Sequence, residues 1–220
     1  MIYRLFKRTF DVFCALIGII GTSPLWIISI VGILLSDWGP VFYVATRIGK
    51  NNKRFKMYKF RSMRVVKTAN EVSLRPDEER IFPFGHFIRR MKIDEFPQML
   101  NILNGTMSVI GPRPVAQDQF TMFRYGKWNE VAKVPVGLSG PAALYDFIYG
   151  DQITDEKEYM KKVYPTRREL EYTYVKKAGF FYDLKMIIYT VICIVYALFG
   201  KECTWMLNEF INDAKETMEK

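Results

Sequence analysis

The longest apolar run, Val12 to Leu35, carries a few weakly polar side chains and no charge across 24 residues. As a straight helix it is long enough to cross a hydrocarbon core of about 30 Å. It also continues past Gly21, where a cleaved signal would have ended its shorter apolar region. The run therefore predicts a membrane segment. Pro24 stands at its centre, where it lacks a backbone donor and crowds the carbonyl of Ile20; Ser23 can bond back to the carbonyl of Ile19 and bend the helix further. Each half reaches only about 16 Å, roughly half the core. Arg4, Lys7 and Arg8 precede the run, and Arg47, Lys50, Lys53, Arg54, Lys56 and Lys59 follow it. Positive residues mark cytoplasmic flanks, so kink and flanks together predict a re-entrant helix-break-helix hairpin over residues 1–38. A single span with a tolerated proline satisfies the apolar pattern equally.

A second apolar stretch, Met186 to Phe199, is 14 residues long, short for a span. Lys176, Lys177 and Lys185 precede it, and Phe180, Phe181, Tyr182, Tyr189 and Tyr196 are spread through it. That mixture predicts an interfacial amphipathic helix, with a buried core helix the equal alternative. Between the two runs, Val41 to Val44 and Phe55 to Phe60 read as strands joined at Gly49-Lys50-Asn51-Asn52, a β-hairpin. Lys67 to Arg80 reads as a loop with some helix, and Gly85 to Met91 as a helix. A further helix is expected from Asp94 to about Asn104, ended by Gly105. Gly111-Pro112-Arg113-Pro114 must be irregular. Asp155 to Lys177 is so charged that it reads as a helical, solvated face. The expected fold class is α/β, mostly helical, with one small β-hairpin.

A formal net charge of +9 favours anionic partners: lipid headgroups, nucleotides or nucleic acid. The basic residues follow the membrane segment rather than alternating with aromatics on one surface, which argues against nucleic acid. Cys14, Cys193 and Cys203 have no metal-ligand spacing and suit a reducing compartment. With His86 as the only histidine, a Ser/His/Asp site or a His-rich metal site is not expected. Catalysis would fall to carboxylates, lysines and arginines.

Asp94 and Glu95 stand together at the expected helix start. The plain reading is that they cap free amides and complement the helix dipole. Three features favour chemistry instead: Arg89, Arg90 and Lys92 lie close by, the rigid segment carrying Arg113 follows the helix, and the membrane segment places all of them near lipid. An aspartate can accept a phosphoryl group, and a neighbouring carboxylate can hold Mg²⁺ with substrate phosphates.

Lys7-Arg8-Thr9-Phe10-Asp11, Ser23-Pro24, Tyr58-Lys59-Phe60-Arg61-Ser62-Met63, Ile93-Asp94-Glu95-Phe96-Pro97-Gln98 and Gly111-Pro112-Arg113-Pro114 occur in one order over about Lys7 to Phe199. In these segments the chain resembles the bacterial sugar transferases, the polyprenyl-phosphate hexose-1-phosphate transferases or small monotopic phosphoglycosyl transferases. The resemblance implies a re-entrant helix broken at Ser23-Pro24. It also implies a catalytic domain over 39–200 on the cytoplasmic face of the bacterial inner membrane, leaving 201–220 as a tail. It implies Asp94 as nucleophile, Glu95 as Mg²⁺ ligand, Lys59, Arg89 and Arg113 at the phosphate site, and Asp183 holding the N-terminal helix. The implied reaction passes a sugar 1-phosphate from a nucleotide-sugar, a UDP-sugar, to polyprenyl (undecaprenyl) phosphate through an aspartyl-phosphosugar, releasing UMP. Downstream glycosyltransferases become expected partners, and a homo-oligomer is open.

The chain departs from the family pattern at Ala45, where a glutamine is usual, and at Pro135 and Pro141, where an arginine and a tryptophan are usual. Ala142 to Phe147 also lacks the usual polar run, so these departures fall where a nucleotide-sugar is expected. The competing reading is a non-catalytic membrane scaffold. It predicts loss of Asp94, Glu95 or Arg113, and all three are present.

Overall fold

The computed structural model describes residues 2–65, 78–117 and 119–218. The expected loop from Lys67 lies mostly outside them; its end, Glu78–Arg80, forms one 3₁₀ turn.

The N-terminal apolar run lies within a single helix, α1 (Ile2–Ser36), and Pro24 is inside it. One helix thus stands where a helix-break-helix was expected. Proline leaves the carbonyl of Ile20 without an amide donor, and the Ser23 hydroxyl donates to that oxygen at 2.8 Å, one residue along from the expected Ile19. Asp11, Ala15, Ser29 and Ile33 are buried, and with Gly18, Thr22 and Trp26 between them they form a stripe at helical spacing. Phe13, Ile17, Ile20, Ile27, Val31 and Leu35 stay exposed on the other side. The stripe docks along the globular part. Ala15 packs with Met57, Ile102 and Met107, and Ile33 packs with Phe60, Phe82 and Ile88. Arg8 donates to the carbonyls of Ile102 and Leu103, while at the other end Arg61 pairs with Asp37. Both ends of α1 are therefore bonded to one body.

The hairpin forms as expected: β1 (Phe42–Ile48) pairs antiparallel with β2 (Arg54–Phe60), with Ala45 opposite Met57. Next come α2 (Pro83–Arg90) and α3 (Gln98–Leu103). The helix expected from Asp94 starts later. Lys92 turns the chain in the left-handed region, Ile93–Glu95 is a 3₁₀ turn, and Pro97 precedes α3. Gly105, at φ +83, follows its end.

Two strands of three residues, β3 (Ser108–Ile110) and β4 (Gly137–Ser139), form a parallel pair. They are too short to leave an alternating pattern in the sequence. Just beyond β3, a Cβ on Gly111 would meet the Pro135 carbonyl at 2.4 Å, so only glycine lets the backbones approach there. Short α4 (Phe120–Phe123) lies between these strands, and α5 (Pro141–Ile148) follows β4 with Pro141 in its first turn.

The charged stretch from Asp155 folds as α6 (Glu156–Lys162) and α7 (Tyr164–Lys177). The solvated-face expectation is corrected for α7, where Arg167, Glu169, Leu170, Glu171, Thr173 and Tyr174 are all buried. Their charges have distant partners: Arg124 pairs with Glu171 at 2.5 Å, Lys127 with Glu169 at 3.1 Å and Arg167 with Asp146 at 3.4 Å. Leu170 and Tyr174 join the largest core with Tyr145, Met186, Met206 and Phe210.

α8 (Phe180–Leu198) buries Asp183, Met186 and Cys193, while Phe181, Ile188, Val191, Ile194 and Leu198 stay exposed. It is therefore buried on one side only. By length and composition α1 and α8 could each cross a membrane. Phe180 packs edge-on to Phe6 at 5.2 Å, bringing their N-terminal ends together. The stretch set apart as a tail carries α9 (Trp205–Met218), whose Met206, Phe210 and Ala214 are buried.

Glu171 is fully buried and Arg124 nearly so. Glu171→Ala would strand the guanidinium away from water, a loss of about 3–5 kcal/mol. Denaturant unfolding should show that loss for Glu171→Ala and markedly less for Arg124→Met/Glu171→Leu together. A single variant within about 1 kcal/mol of wild type would mean that the pair is solvated.

Candidate active site

Five expected site residues from separate segments line one cavity of about 480 Å³: Lys59, Arg89, Asp94, Glu95 and Arg113. Lys59 comes from β2, Arg89 from the end of α2, the two carboxylates from the 3₁₀ turn, and Arg113 from the Gly-Pro-Arg-Pro segment after β3. Ser23, Pro24 and Asp183 are not in its lining. Asp183 instead sits at the start of α8 and accepts from Tyr3 at 2.9 Å, Lys7 at 2.7 Å and Tyr174 at 2.9 Å. It ties the first turns of α1 to α7 and α8.

The carboxylates do not act as helix caps. Glu95 accepts from Lys59 Nζ at 2.9 Å. Asp94 is 5% exposed, and its Oδ1 is buried with no hydrogen-bond partner among the described residues. Burial pushes the Asp94 carboxyl up to about 6 against the pull of Lys59, and the neighbouring Glu95 charge adds to the rise. Burial acts the same way on Glu95, but Lys59, Arg113 and Lys92 outweigh it and hold this carboxyl well below the usual range. Burial disfavours the Arg113 charge, yet Asp146 and Glu95 more than restore it, so the guanidinium stays firmly protonated. Two adjacent carboxylates thus have opposite tendencies, the arrangement expected where each has a different task.

Arg89 reaches Ser62 Oγ at 3.5 Å. Lys92 pairs with Asp151 at 2.9 Å and lies 5.0 Å from the Phe147 ring. Across the cavity, Tyr159 donates to Asp146 at 2.7 Å and Arg167 donates to Tyr159 at 2.5 Å. Asp146, Tyr159 and Arg167 all line the space, and they are the residues that sequence reasoning missed. The available signal was the set Arg167, Leu170, Glu171 and Tyr174, charged and apolar residues sharing one helical stripe. Ala45, where the family glutamine was missing, is buried in the core.

Among the described residues no three His, Cys, Asp or Glu side chains converge as a metal cage. Mg²⁺ does not need such a cage, because it is commonly held by one or two carboxylates, with waters and substrate phosphates filling its other positions. Glu95 beside the unpartnered oxygen of Asp94 fits that kind of site.

The sequence matches the bacterial sugar transferase family over residues 2–197. The chain belongs to that family. One relative is the UDP-glucose:undecaprenyl-phosphate glucose-1-phosphate transferase of Escherichia coli K12, 33% identical over 192 residues, which are 86% of this chain and 40% of that protein. The sugar transferase EpsL of Bacillus subtilis 168, described as uncharacterized, is 34% identical over 185 residues, 84% of this chain and 85% of its own length. A UDP-N-acetylgalactosamine-undecaprenyl-phosphate N-acetylgalactosaminephosphotransferase of Aeromonas hydrophila is 42% identical over 123 residues, 54% of this chain and 29% of the relative. The chain therefore spans less than half of two of these sugar transferases and most of the third.

The raised Asp94 value gives a stability prediction. The folded protein binds this proton more tightly than the unfolded chain, so the group's contribution is fully present below pH 3.8 and is lost as pH rises through about 6. Asp94→Asn removes the buried charge and should stabilise the protein by about 1–3 kcal/mol near pH 8. Near pH 4 the difference should vanish. Thermal unfolding of both proteins across this range measures it, and a pH-independent difference would contradict the assigned environment.

Proposed function

We propose that this chain moves a sugar 1-phosphate from a UDP-sugar to undecaprenyl phosphate, the first membrane step in making a surface glycan that downstream glycosyltransferases extend. The observation that carries the reading is the buried, unpartnered Asp94 oxygen beside Glu95 in a cavity ringed by Lys59, Arg89, Lys92 and Arg113. The relatives named for undecaprenyl-phosphate transfer support it.

Asp94 attacks the sugar-linked β-phosphorus. The bond from that phosphorus to the bridging oxygen breaks, and its electron pair leaves with UMP. An oxygen of the lipid phosphate then attacks the same phosphorus and displaces the Asp94 carboxylate, giving polyprenyl diphosphate sugar. Direct transfer would bring two anions together without this relay. Arg113 and Arg89 meet the charge on the phosphoryl oxygens with their paired donors, and Lys59 turns from Glu95 toward a phosphate. Glu95 would hold Mg²⁺, which when bound would supply further neutralisation of that charge.

The membrane arrangement belongs to the same proposal. Helix α1 enters the cytoplasmic leaflet of the bacterial inner membrane and does not cross, so both of its ends stay on the cytoplasmic side. The bonds from both ends of α1 to one body support this, as does its exposed apolar face.

Protein given a UDP-sugar without lipid should gain the mass of one sugar phosphate on the peptide containing Asp94, and release UMP. Asp94→Asn should give neither, Glu95→Gln should lower turnover by about two orders of magnitude or more, and EDTA should abolish it. Intersecting initial-rate lines with no adduct after rapid quenching would overturn the covalent route, and full turnover in chelator would overturn the Mg²⁺ assignment.

For topology, single cysteines at Leu5 and Lys50, in a Cys14→Ala background, should both label from the cytoplasmic side of inverted vesicles. Labelling of position 5 only from the opposite side would show that α1 spans.

A further inference from the structure

The proposed reaction needs an acceptor with an anionic head and a hydrocarbon tail, and a notch beside the reactive cavity joins those two chemistries. The notch, of about 10 Å³, is lined by Arg90, Lys92, Met91, Phe147, Ile194 and Leu198 together with Ala197. Arg90 and Lys92 line the reactive cavity as well, so the two concavities share their cationic rim. Away from that rim the notch is apolar, and it opens onto the exposed face of α8, where Val191 is 55% exposed, Ile194 43% and Leu198 55%. Arg90 is exposed and has no ion-pair partner among the described residues. Lys92 is held at the rim by Asp151 and by the Phe147 ring.

We infer that this notch and the exposed face of α8 bind the polyprenyl phosphate acceptor. Its phosphate sits between Arg90 and Lys92, and its first isoprene units lie along Met91, Ile194 and Leu198. A notch of this size admits no bore for a chain, so the hydrocarbon lies flat on α8 and continues into the bilayer. The charge pattern commits the site to a lipid monophosphate: cations stand only at the end facing Asp94 and Glu95, and the rest offers no polar partner. A free nucleotide would leave the apolar wall unused, and an uncharged polyprenol would leave Arg90 without an anionic partner. Because Asp151 anchors Lys92, it acts here as a positioning residue for the phosphate end.

This inference rests on the proposed transfer reaction but can fail separately from it. The full chain in nanodiscs would be photolabelled with a diazirine-bearing polyprenyl phosphate. The label should map to the 191–199 segment or to Met91, and unlabelled polyprenyl phosphate should compete at least tenfold better than polyprenol or phosphatidylglycerol. Ala197→Trp and Ile194→Glu should each raise the lipid KM about tenfold while leaving UMP release from UDP-sugar in the absence of lipid unchanged. Leu35→Glu, on the exposed apolar face of α1 and away from α8, should leave both unchanged, which separates the α8 site from general bilayer contact. Labelling confined to α1, equal competition by phosphatidylglycerol, or an unaltered lipid KM in both notch variants would each overturn the site. Labelling needs no turnover, so an inactive wild type would count against the reaction and not against this binding site.

Discussion

Three side chains within the first turns of α1 fix where everything else sits. Lys7 donates to the Ile110 carbonyl and to Asp183, Arg8 donates to the last carbonyls of α3, and Asp11 accepts from Ser108 Oγ and the Val109 amide. Asp11 is nearly fully buried, and a carboxylate in that position is tolerable only because it has these partners. Each contact locates one part of the site. Arg8 holds the far end of α3, the helix that follows the turn carrying Asp94 and Glu95, the β3 strand leads directly to Arg113, and Asp183 sits at the start of α8. A cavity assembled from segments more than fifty residues apart needs such a common reference, and an apolar helix with a polar foot supplies it.

The site then works by unequal treatment of similar groups. Glu95 is given a lysine and is kept ionised, whereas Asp94 is given burial and no partner for one oxygen. The surrounding cations keep Asp94 from rising far enough to remain protonated at neutral pH. A carboxylate that is poorly solvated yet charged is a better nucleophile than one held in a strong ion pair, because less has to be given up when it attacks. In the proposed reaction the same cations would meet a diphosphate, so one set of charges would both tune Asp94 and receive the substrate.

What could be read from the chain, and what could not, follows from the range of the interactions involved. The hairpin was legible because Gly49 to Asn52 encodes its own turn, and α2 because its apolar spacing is local. Asp94, Glu95, Lys59, Arg89 and Arg113 were picked out by clustering and by resemblance, and all five meet in one cavity. The start of α3 was misplaced because Asp94 and Glu95 imitate a capping pair, while Pro97 and the left-handed Lys92 set the true boundary. The burial of α7 was hidden for a different reason. Glu171 answers Arg124 at a separation of 47 residues and Trp128 answers Glu169 at 41, and composition alone cannot distinguish charges paired across a core from charges in water. The helix runs on through Pro24, with the Ser23 hydroxyl donating to the Ile20 carbonyl that proline leaves without an amide donor.

The clamp on α1 has a consequence for synthesis. Its partners at Ser108, Ile110 and Asp183 emerge from the ribosome about 100 to 180 residues after it does, and domains form as their segments become available. During that interval Lys7 and Asp11 have no docking surface, while the apolar residues beside them already favour lipid. In the proposed membrane arrangement the bilayer is therefore available to this helix before its protein partners are, and the rest of the protein would be built onto a segment already held there.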